Sequence, residues 1–252
     1  MYAEERRQEI AVLVRQDGRG DVSELADRFE VTPETIRRDL TDLEQRNVLR
    51  RVHGGAIPIE RFRAEPAVPE KATQMAAEKS RIASAALPFV PDHGTVLVDA
   101  GTSTLALAQV FPDRDLTVFT NASPVCEELS GREHLQLYLL GGRVRRRTLA
   151  NVGDWALRQL GELRVGVAFV GTNGLSVERG LSTPDPAEAA VKAAMCRAAQ
   201  QVVVLADHTK VGDEAAVRFA SIDQVDVLVT DEGLPEPDRQ VLEEAGVEVV
   251  LA

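Results

Sequence analysis

Asp99, Gly101, Thr102, Ser103 and Thr104 follow the apolar run Val96–Val98 and lead into a helical pattern. Backbone N–H groups and three hydroxyls therefore converge where an anion would rest. Other apolar runs end in the same habit, at Thr120-Asn121, Gly141-Gly142, Gly171-Thr172-Asn173-Gly174 and Asp207-His208-Thr209-Lys210. Any one of these alone reads equally as an ordinary turn with hydroxyl capping; together they fit a phosphorylated, hydroxyl-rich ligand. Asp185, Glu188 and Lys192 stand on or just before a helix opening near Pro186, the last two four residues apart on one face. Without context they are a surface ion pair beside a capping carboxylate. Gathered in a pocket, Asp, Glu and Lys can move a proton next to a carbonyl, which keeps an enzyme, a phosphosugar isomerase, open as the alternative. Arg143, Arg145, Arg146 and Arg147 could close over a phosphate or form a solvated basic loop.

A second chemistry, contact with a polyanion, is written in Val31–Leu40. Thr32 can cap the first free amides, and Pro33 takes the first helical position, where its missing N–H costs nothing. Ile36, Leu40 and Leu43 then make one buried stripe, leaving Glu34, Arg38, Thr41 and Gln45 opposite it and Arg37 on the flank. Before this stretch, Ser23–Phe29 makes a short helix with Leu25, Ala26 and Phe29 on one side, and a tight turn follows at Glu30-Val31. Helix, short turn and capped second helix form a helix-turn-helix over about residues 20–39, whose second helix enters the major groove N-terminus first. After it, Leu49–Ala56 alternates apolar and basic residues into Gly54-Gly55, as a small β-hairpin wing would. Thr32, Thr35, Arg37 and Arg38 would read or clamp the groove, while Arg50, Arg51 and His53 touch phosphates. His53 has no carboxylate or nucleophile near it in sequence and so reads as a wing residue, not a base.

These residues need two bodies to position them. A small α+β unit is expected over 1–57, opened by a helix from Glu4 to Arg15 with Ile10, Leu13 and Val14 inward and ended by Gly18 and Gly20. Pro58, Pro66 and Pro69 among scattered charges mark a linker over 58–75. From 76 to 252, after a helix over Lys79–Leu87, apolar runs at 95–99, 116–120, 135–140, 165–170, 202–206, 225–230 and 247–251 alternate with helical patterns. That rhythm predicts an α/β domain with a mostly parallel sheet, whose ligands lie beyond the C-terminal strand ends. Lone Trp155 is expected in the core.

The composition limits the function. A chain of 252 residues, 44% hydrophobic, exceeds what a lone DNA-reading module needs. Its formal net charge of −11 opposes general nucleic-acid coating, and residues 1–60 hold ten arginines against thirteen acids, a net of −3. Yet Arg37, Arg38, Arg46, Arg50, Arg51, Arg61 and Arg63 crowd the part that would face DNA, which favours sequence-specific over general binding. Cys126 and Cys196, far apart and without a second pair, indicate reduced helix residues, with no disulfide framework and no metal site. No run approaches a bilayer span, so a soluble, cytoplasmic protein without membrane contact is expected.

Over essentially its whole length the chain resembles the DeoR family of bacterial sugar-operon repressors. The residues that carry the likeness are Glu5-Arg6-Arg7, Leu25-Ala26, Thr35–Leu40 and Arg51-Val52-His53-Gly54-Gly55-Ala56 in the first part. In the second they are Asp99-x-Gly101-Thr102-Ser103-Thr104, Thr120-Asn121, Gly141-Gly142, Asp185-x-x-Glu188, Lys192 and Asp207-x-x-Lys210. The resemblance implies a winged helix-turn-helix joined to a domain similar to phosphosugar isomerases, its catalytic pocket reused for sensing, with no cofactor. By position, Asp99–Thr104 would then hold phosphate and sugar hydroxyls, and Asp185, Glu188, Lys192 and Lys210 would line the pocket, with Thr120, Asn121, Gly141, Gly142 and Asn173 at its other strand ends. Asn47 stands where the family usually has glycine before the wing, and Asn also tolerates positive φ. The opening Met-Tyr-Ala-Glu-Glu-Arg-Arg and the wing resemble repressors of fructose-uptake operons in actinobacteria. Fructose 1-phosphate is the effector this implies, with galactose or tagatose 6-phosphate and glycerol 3-phosphate as alternatives. The implied partners are double-stranded operator DNA and a second copy of the chain, as dimer or tetramer.

Overall fold

The computed structural model describes residues 3–17, 19–46, 48–52, 54–58, 71 and 73–252, in two compact units that divide between Arg63 and Ala64. The expectations for Gly18, Asn47, His53, Arg61, Arg63 and most of 58–75 fall outside the described residues, as does the side chain of Arg50.

The first unit contains α1 (Ala3–Asp17), β1 (Gly20–Asp21), α2 (Val22–Phe29), α3 (Pro33–Gln45), β2 (Leu49–Val52) and β3 (Gly55–Pro58). Asp21 caps α2 by accepting from the amides of Ser23 and Glu24. The helix stops at Glu30, whose left-handed backbone (φ 53°, ψ 44°) turns the chain while Val31 N–H reaches back to the Ala26 carbonyl at 3.1 Å. Thr32 Oγ1 then accepts from Thr35 N–H at 3.2 Å ahead of Pro33, a cap contributing about 1 kcal/mol. Ile36, Leu40 and Leu43 are buried as their spacing predicts, each contributing about 1.5–3 kcal/mol against Ile10, Val14, Leu25 and Leu49.

Asp39 shares that buried face of α3, which the sequence did not announce. Arg6 Nε donates to its Oδ2 at 2.6 Å and Arg7 Nε to its Oδ1 at 3.0 Å, so α1 and α3 are clamped by charge as well as by packing. Arg46 departs from expectation. It pairs with Glu4 at 2.7 Å and Asp42 at 2.8 Å, because its place as the C-cap of α3 puts it beside the acidic start of α1, and so it is not a free member of the basic surface. The hairpin pairs Leu49 with Pro58 and Val52 with Gly55, and β1 adds a third strand, in the order β1-β3-β2. A Cβ at Gly55 would lie 2.2 Å from the Gly20 carbonyl oxygen, so only glycine permits that approach.

The second unit runs α4 (Ala76–Ala86), β4 (Gly94–Val98), α5 (Thr102–Val110), β5 (Leu116–Thr120), α6 (Ser123–Leu129) and β6 (Leu135–Leu139). A hairpin, β7 (Arg143–Arg145) and β8 (Ala150–Val152), precedes α7 (Asp154–Gly161). Then come β9 (Val165–Gly171), β10 (Gly174–Ser176), β11 (Gly180–Thr183), α8 (Pro186–Ala198), β12 (Ala199–Leu205), β13 (Val217–Ala220), β14 (Val227–Thr230), α9 (Glu236–Glu244) and β15 (Glu248–Leu251).

Seven strands, one for each apolar run read from the sequence, form a sheet in the order β6-β5-β4-β9-β12-β14-β15, with every neighbouring pair parallel. Its central strands are largely buried on both faces, which is why they are near-continuous apolar runs. The chain builds outward from β4 through β5 to β6 and then returns to lay β9 on the other side of β4. At that reversal the following connections diverge and leave a crevice beyond the strand ends. Strands β10, β11 and β13 form a separate antiparallel sheet. Trp155 is not in the core: it is 72% exposed, because α7 turns Ala156 and Leu160 inward and its neighbour faces out.

Candidate functional site

Asp99 and Lys192 occupy the reversal point between β4 and β9. Asp99 N–H donates to the Phe169 carbonyl at 3.0 Å, and its Oδ2 accepts from Gly171 N–H at 3.1 Å and from Lys192 Nζ. Lys192 Nζ also donates to the Gly171 carbonyl at 2.9 Å and lies 5.6 Å from the centroid of the Phe219 ring. Both side chains are buried, at 1% and 7% exposure, so this ion pair is scarcely screened by solvent. The other carboxylate oxygen, Asp99 Oδ1, is buried and receives no hydrogen bond among the described residues. A carboxylate oxygen in that position is a ready acceptor for a ligand hydroxyl.

Helix α8 carries the same network further. Asp185 caps it, accepting from Ala187 N–H at 2.9 Å and Glu188 N–H at 3.0 Å. Arg145, at the end of β7, reaches Asp185 Oδ2 at 3.1 Å and Glu188 Oε1 at 3.3 Å, and Thr148 Oγ1 donates to that same Glu188 oxygen. Burial acts to raise the Asp185 pKa, but the Glu188 amide and the Arg145 guanidinium outweigh it and hold the carboxyl below its usual value. Glu188 and Lys192 are thus neither exposed nor a surface pair. They are successive inward positions on one helix, turned to Arg145 and Asp99 respectively.

The β7–β8 hairpin joins a third strand end to this network. Asn151 N–H donates to the Asn121 carbonyl at 2.7 Å, Asn121 Nδ2 to the Asn151 carbonyl at 3.3 Å, and Asn151 Nδ2 to the Leu140 carbonyl at 2.7 Å. Asn121 Oδ1 remains buried without a donor among the described residues, as Asp99 Oδ1 does. Gly101 leads into α5, whose first amides have no side-chain cap, with Thr102 and Ser103 half-buried beside them. An anion could take those amides.

Other predicted residues are occupied with the fold itself. Thr104 is fully buried and donates to the Gly101 carbonyl at 3.0 Å, and Thr120 Oγ1 accepts from Ala122 N–H at 3.1 Å. Gly141 N–H meets Gln159 Oε1 at 3.1 Å, and a Cβ at Gly142 would lie 2.8 Å from the Val152 carbonyl oxygen. Asn173 Oδ1 accepts from Thr183 Oγ1 at 3.0 Å. Lys210 is one-third exposed, with Thr209 Oγ1 at 2.9 Å and the buried Asp207 at 3.8 Å. Next to them, His208 Nδ1 lies 2.7 Å from Asp231 Oδ2. Burial acts to raise the Asp231 pKa, but hydrogen bonds from the His208 amide and ring and from Gly233 N–H hold it below its usual value.

Sequence reasoning left Arg145 open between closing over a phosphate and lying in a solvated loop, and it missed Thr148, Asn151 and Asp231 altogether. Asp231 follows an apolar run as Asp99 and Asp207 do, so the same signal would have found it. Asn151 and Thr148 carry no such mark, being placed by a hairpin that periodicity does not reveal.

On the first unit, Arg37 and Arg38 are exposed on α3. Arg37 pairs with Glu34 at 3.3 Å, while Arg38 makes no ion pair among the described residues. Thr35 and Thr32 share a hydroxyl contact at 2.9 Å. Arg51, on the wing, donates from its backbone to Glu44 Oε1 at 2.8 Å and from its guanidinium to Thr41 Oγ1 at 2.9 Å, so strand and helix are braced together. Between them lies a cavity lined by Asp21, Ser23, Pro33, Arg37, Arg51 and Gly54.

Two family models match the chain. Residues 6–62 match the DeoR-like helix-turn-helix domain, and residues 74–232 match the DeoR C terminal sensor domain. The chain belongs to the DeoR family. The HTH-type transcriptional regulator GlpR of Haloferax volcanii is 37% identical over 99% of this chain and 98% of its own length. The glycerol-3-phosphate regulon repressor of Escherichia coli K12 is 32% identical over the whole of both chains. The putative aga operon transcriptional repressor of Escherichia coli O157:H7 is 31% identical over 98% of this chain and 93% of its own. Among solved structures, a ribose-5-phosphate isomerase in complex with phospho-erythronic acid aligns over 54% of each chain, with 15% identity and a TM-score of 0.41. In this DeoR-family protein every predicted DNA-contacting residue falls within the first matched domain, and every predicted effector residue within the sensor domain. Among the described residues, no helix is long and apolar enough to cross a membrane.

Proposed function

We propose that this DeoR-family protein represses an operon for sugar uptake or catabolism, and that a phosphorylated sugar in the sensor domain sets its operator affinity. The observation that carries the reading is the polar network at the strand reversal. The buried pair Asp99–Lys192, the pair Glu188–Arg145 reached from the same helix α8, and Asn121 at a neighbouring strand end supply cations together with two unsatisfied acceptors, Asp99 Oδ1 and Asn121 Oδ1. Uncapped amides of α5 add a phosphate seat beside hydroxyl-binding oxygens. Both acidic groups that could serve as a base, Asp99 and Glu188, are engaged by Lys192 and Arg145, which favours holding a ligand over turning it over.

The head would enter the major groove with the start of α3. Thr35, Arg37 and Arg38 lie at the base edges and phosphates, with Arg51 and the wing on the backbone. Two half-sites require two heads, hence a dimer or a pair of dimers. The sugar phosphate shifts the equilibrium only by binding the DNA-incompetent arrangement more tightly, and a coupling of about 1–3 kcal/mol changes operator affinity roughly 5- to 150-fold.

Fluorescence anisotropy with the promoter beside the protein's own gene tests this, with fructose 1-phosphate, tagatose 6-phosphate and glycerol 3-phosphate each added in turn. Binding should prefer that promoter to random duplex and should weaken with one of the three. Equal affinity for random duplex at physiological salt, or turnover of sugar phosphates at enzymatic rates, would overturn the reading.

A further inference from the structure

Strand β6 is one edge of the seven-stranded sheet, and among the described residues only β5 pairs with it. Its sequence, Leu-Gln-Leu-Tyr-Leu, holds no charge and no proline, the devices that keep an edge from pairing further. The other edge, β15, opens with the exposed charge of Glu248. Main-chain direction alternates along a strand, and Leu140 N–H donates inward to the Thr120 carbonyl at 2.8 Å. Leu135, Leu137 and Leu139 therefore turn their N–H and C=O groups outward. Gln136 is exposed, and Tyr138, stacked on Phe119 with ring centroids 5.0 Å apart, is still 52% exposed. Beyond the strand the chain keeps more apolar groups at the surface. Val144 on β7 is one and Trp155 on α7 another, and Gln159 of α7 holds the Gly141 amide at 3.1 Å.

We propose that a second copy of the chain covers this edge, its β6 running antiparallel to the first about a two-fold axis through Leu137. The surface serves the two-headed assembly of the proposed function and rests on that reading. An isologous contact must be complementary to itself, and β6 meets that condition. Leu137 faces its own counterpart and Leu135 faces Leu139, so each outward N–H finds an outward C=O. Gln136 then stands opposite Tyr138 in the closer, non-hydrogen-bonded kind of pair and covers the open side of the Phe119–Tyr138 stack. The charges agree with this arrangement. Glu133 before the strand and Arg143 after it are both exposed, and neither makes an ion pair among the described residues. Antiparallel pairing brings Glu133 of one protomer to the strand end where Arg143 of its partner stands, and does so twice across the axis.

Disulfide trapping in the full chain reads the register. A non-hydrogen-bonded antiparallel pair holds its Cα atoms about 4.5 Å apart, within disulfide range, whereas identical positions on either side of the axis lie farther apart. Under mild oxidant, an equal mixture of Gln136→Cys and Tyr138→Cys proteins should give a cross-linked dimer. Either variant by itself should give no more than the natural protein, which has Cys126 and Cys196. Leu139→Pro removes an outward N–H and leaves the ladder with β5 intact, so its dimer dissociation constant in sedimentation equilibrium should rise about tenfold or more. Its far-UV circular dichroism should match that of the natural protein. If the natural protein associates yet the mixture links no better than the separate variants, or Leu139→Pro associates as tightly as the natural chain, the β6 surface is overturned and the two-headed regulator stands. If the natural protein sediments as a monomer with and without operator DNA, the two-headed reading itself fails and takes this surface with it.

Discussion

Removing one charge of the Asp99–Lys192 pair leaves the other buried without a counter-ion. Asp99→Asn keeps the shape of the side chain and should destabilise the sensor unit by about 3–5 kcal/mol, read as a loss in urea unfolding. Lys192→Met added to Asp99→Asn removes the stranded ammonium and should recover much of that loss. A single mutant as stable as the natural protein would show that the pair is not closed off from water. Under the proposed function the same residues would set the ligand response. Asp99→Asn should bind operator in the cold yet show no thermal stabilisation by a sugar phosphate that stabilises the natural protein, because one acceptor and the orientation of Lys192 are both changed. Loss of operator binding along with it would instead indicate a misfolded chain.

At the scale of elements, the wing and the turn before α3 decide whether Arg37, Arg38 and Arg51 share one surface. Gly55→Ala would force its Cβ into the Gly20 carbonyl, so β1 and β3 must part. Operator affinity should fall at least tenfold, while sugar-phosphate binding by the separate sensor unit is retained. Glu30 is the opposite case. Its left-handed backbone strains any residue with a Cβ, and Glu30→Gly should raise stability by up to about 1 kcal/mol by thermal denaturation, glycine's extra unfolded-state entropy taking back part of the gain. Arg51 sits on the wing with its guanidinium already on Thr41, so Arg51→Ala should lower the salt dependence of operator binding by about one unit of slope per head. An unchanged slope would place Arg51 away from the phosphates.

For the whole molecule, acid stability follows from the carboxylates gathered at the strand ends. Asp185 and Asp231 have folded pKa values below their unfolded ones, so their stabilisation is complete above the ordinary aspartate value of about 3.9 and is lost as pH falls through the lowered folded values. Unfolding free energy should therefore be insensitive to these two groups between pH 5 and 7 and decline below about pH 4. Asp231→Asn should flatten that decline in a urea series at successive pH values. A decline as steep as in the natural protein would separate Asp231 from acid unfolding.

How much of this was open to reading from the chain depends on how local the cause is. The helix-turn-helix, its Thr32 cap and the seven strands follow from capping chemistry and from hydrophobic periodicity, which act over a few residues and so survive in one dimension. The parallel arrangement follows as well, since Val- and Leu-rich runs separated by helices bury only one way. Arg46 and Trp155 were misread, and the burial of Asp39 went unread, because each needs the position of a neighbouring element: α1 brings Glu4 to the first, α7 rotates the second outward, and α1 brings Arg6 and Arg7 to the third. Lys192 finds Asp99 across 93 residues, and Arg145 finds Glu188 across 43. Pairings over such distances are chosen by how strands and helices stack, not by spacing along the chain, and that stacking gives the scattered polar strand ends their partners.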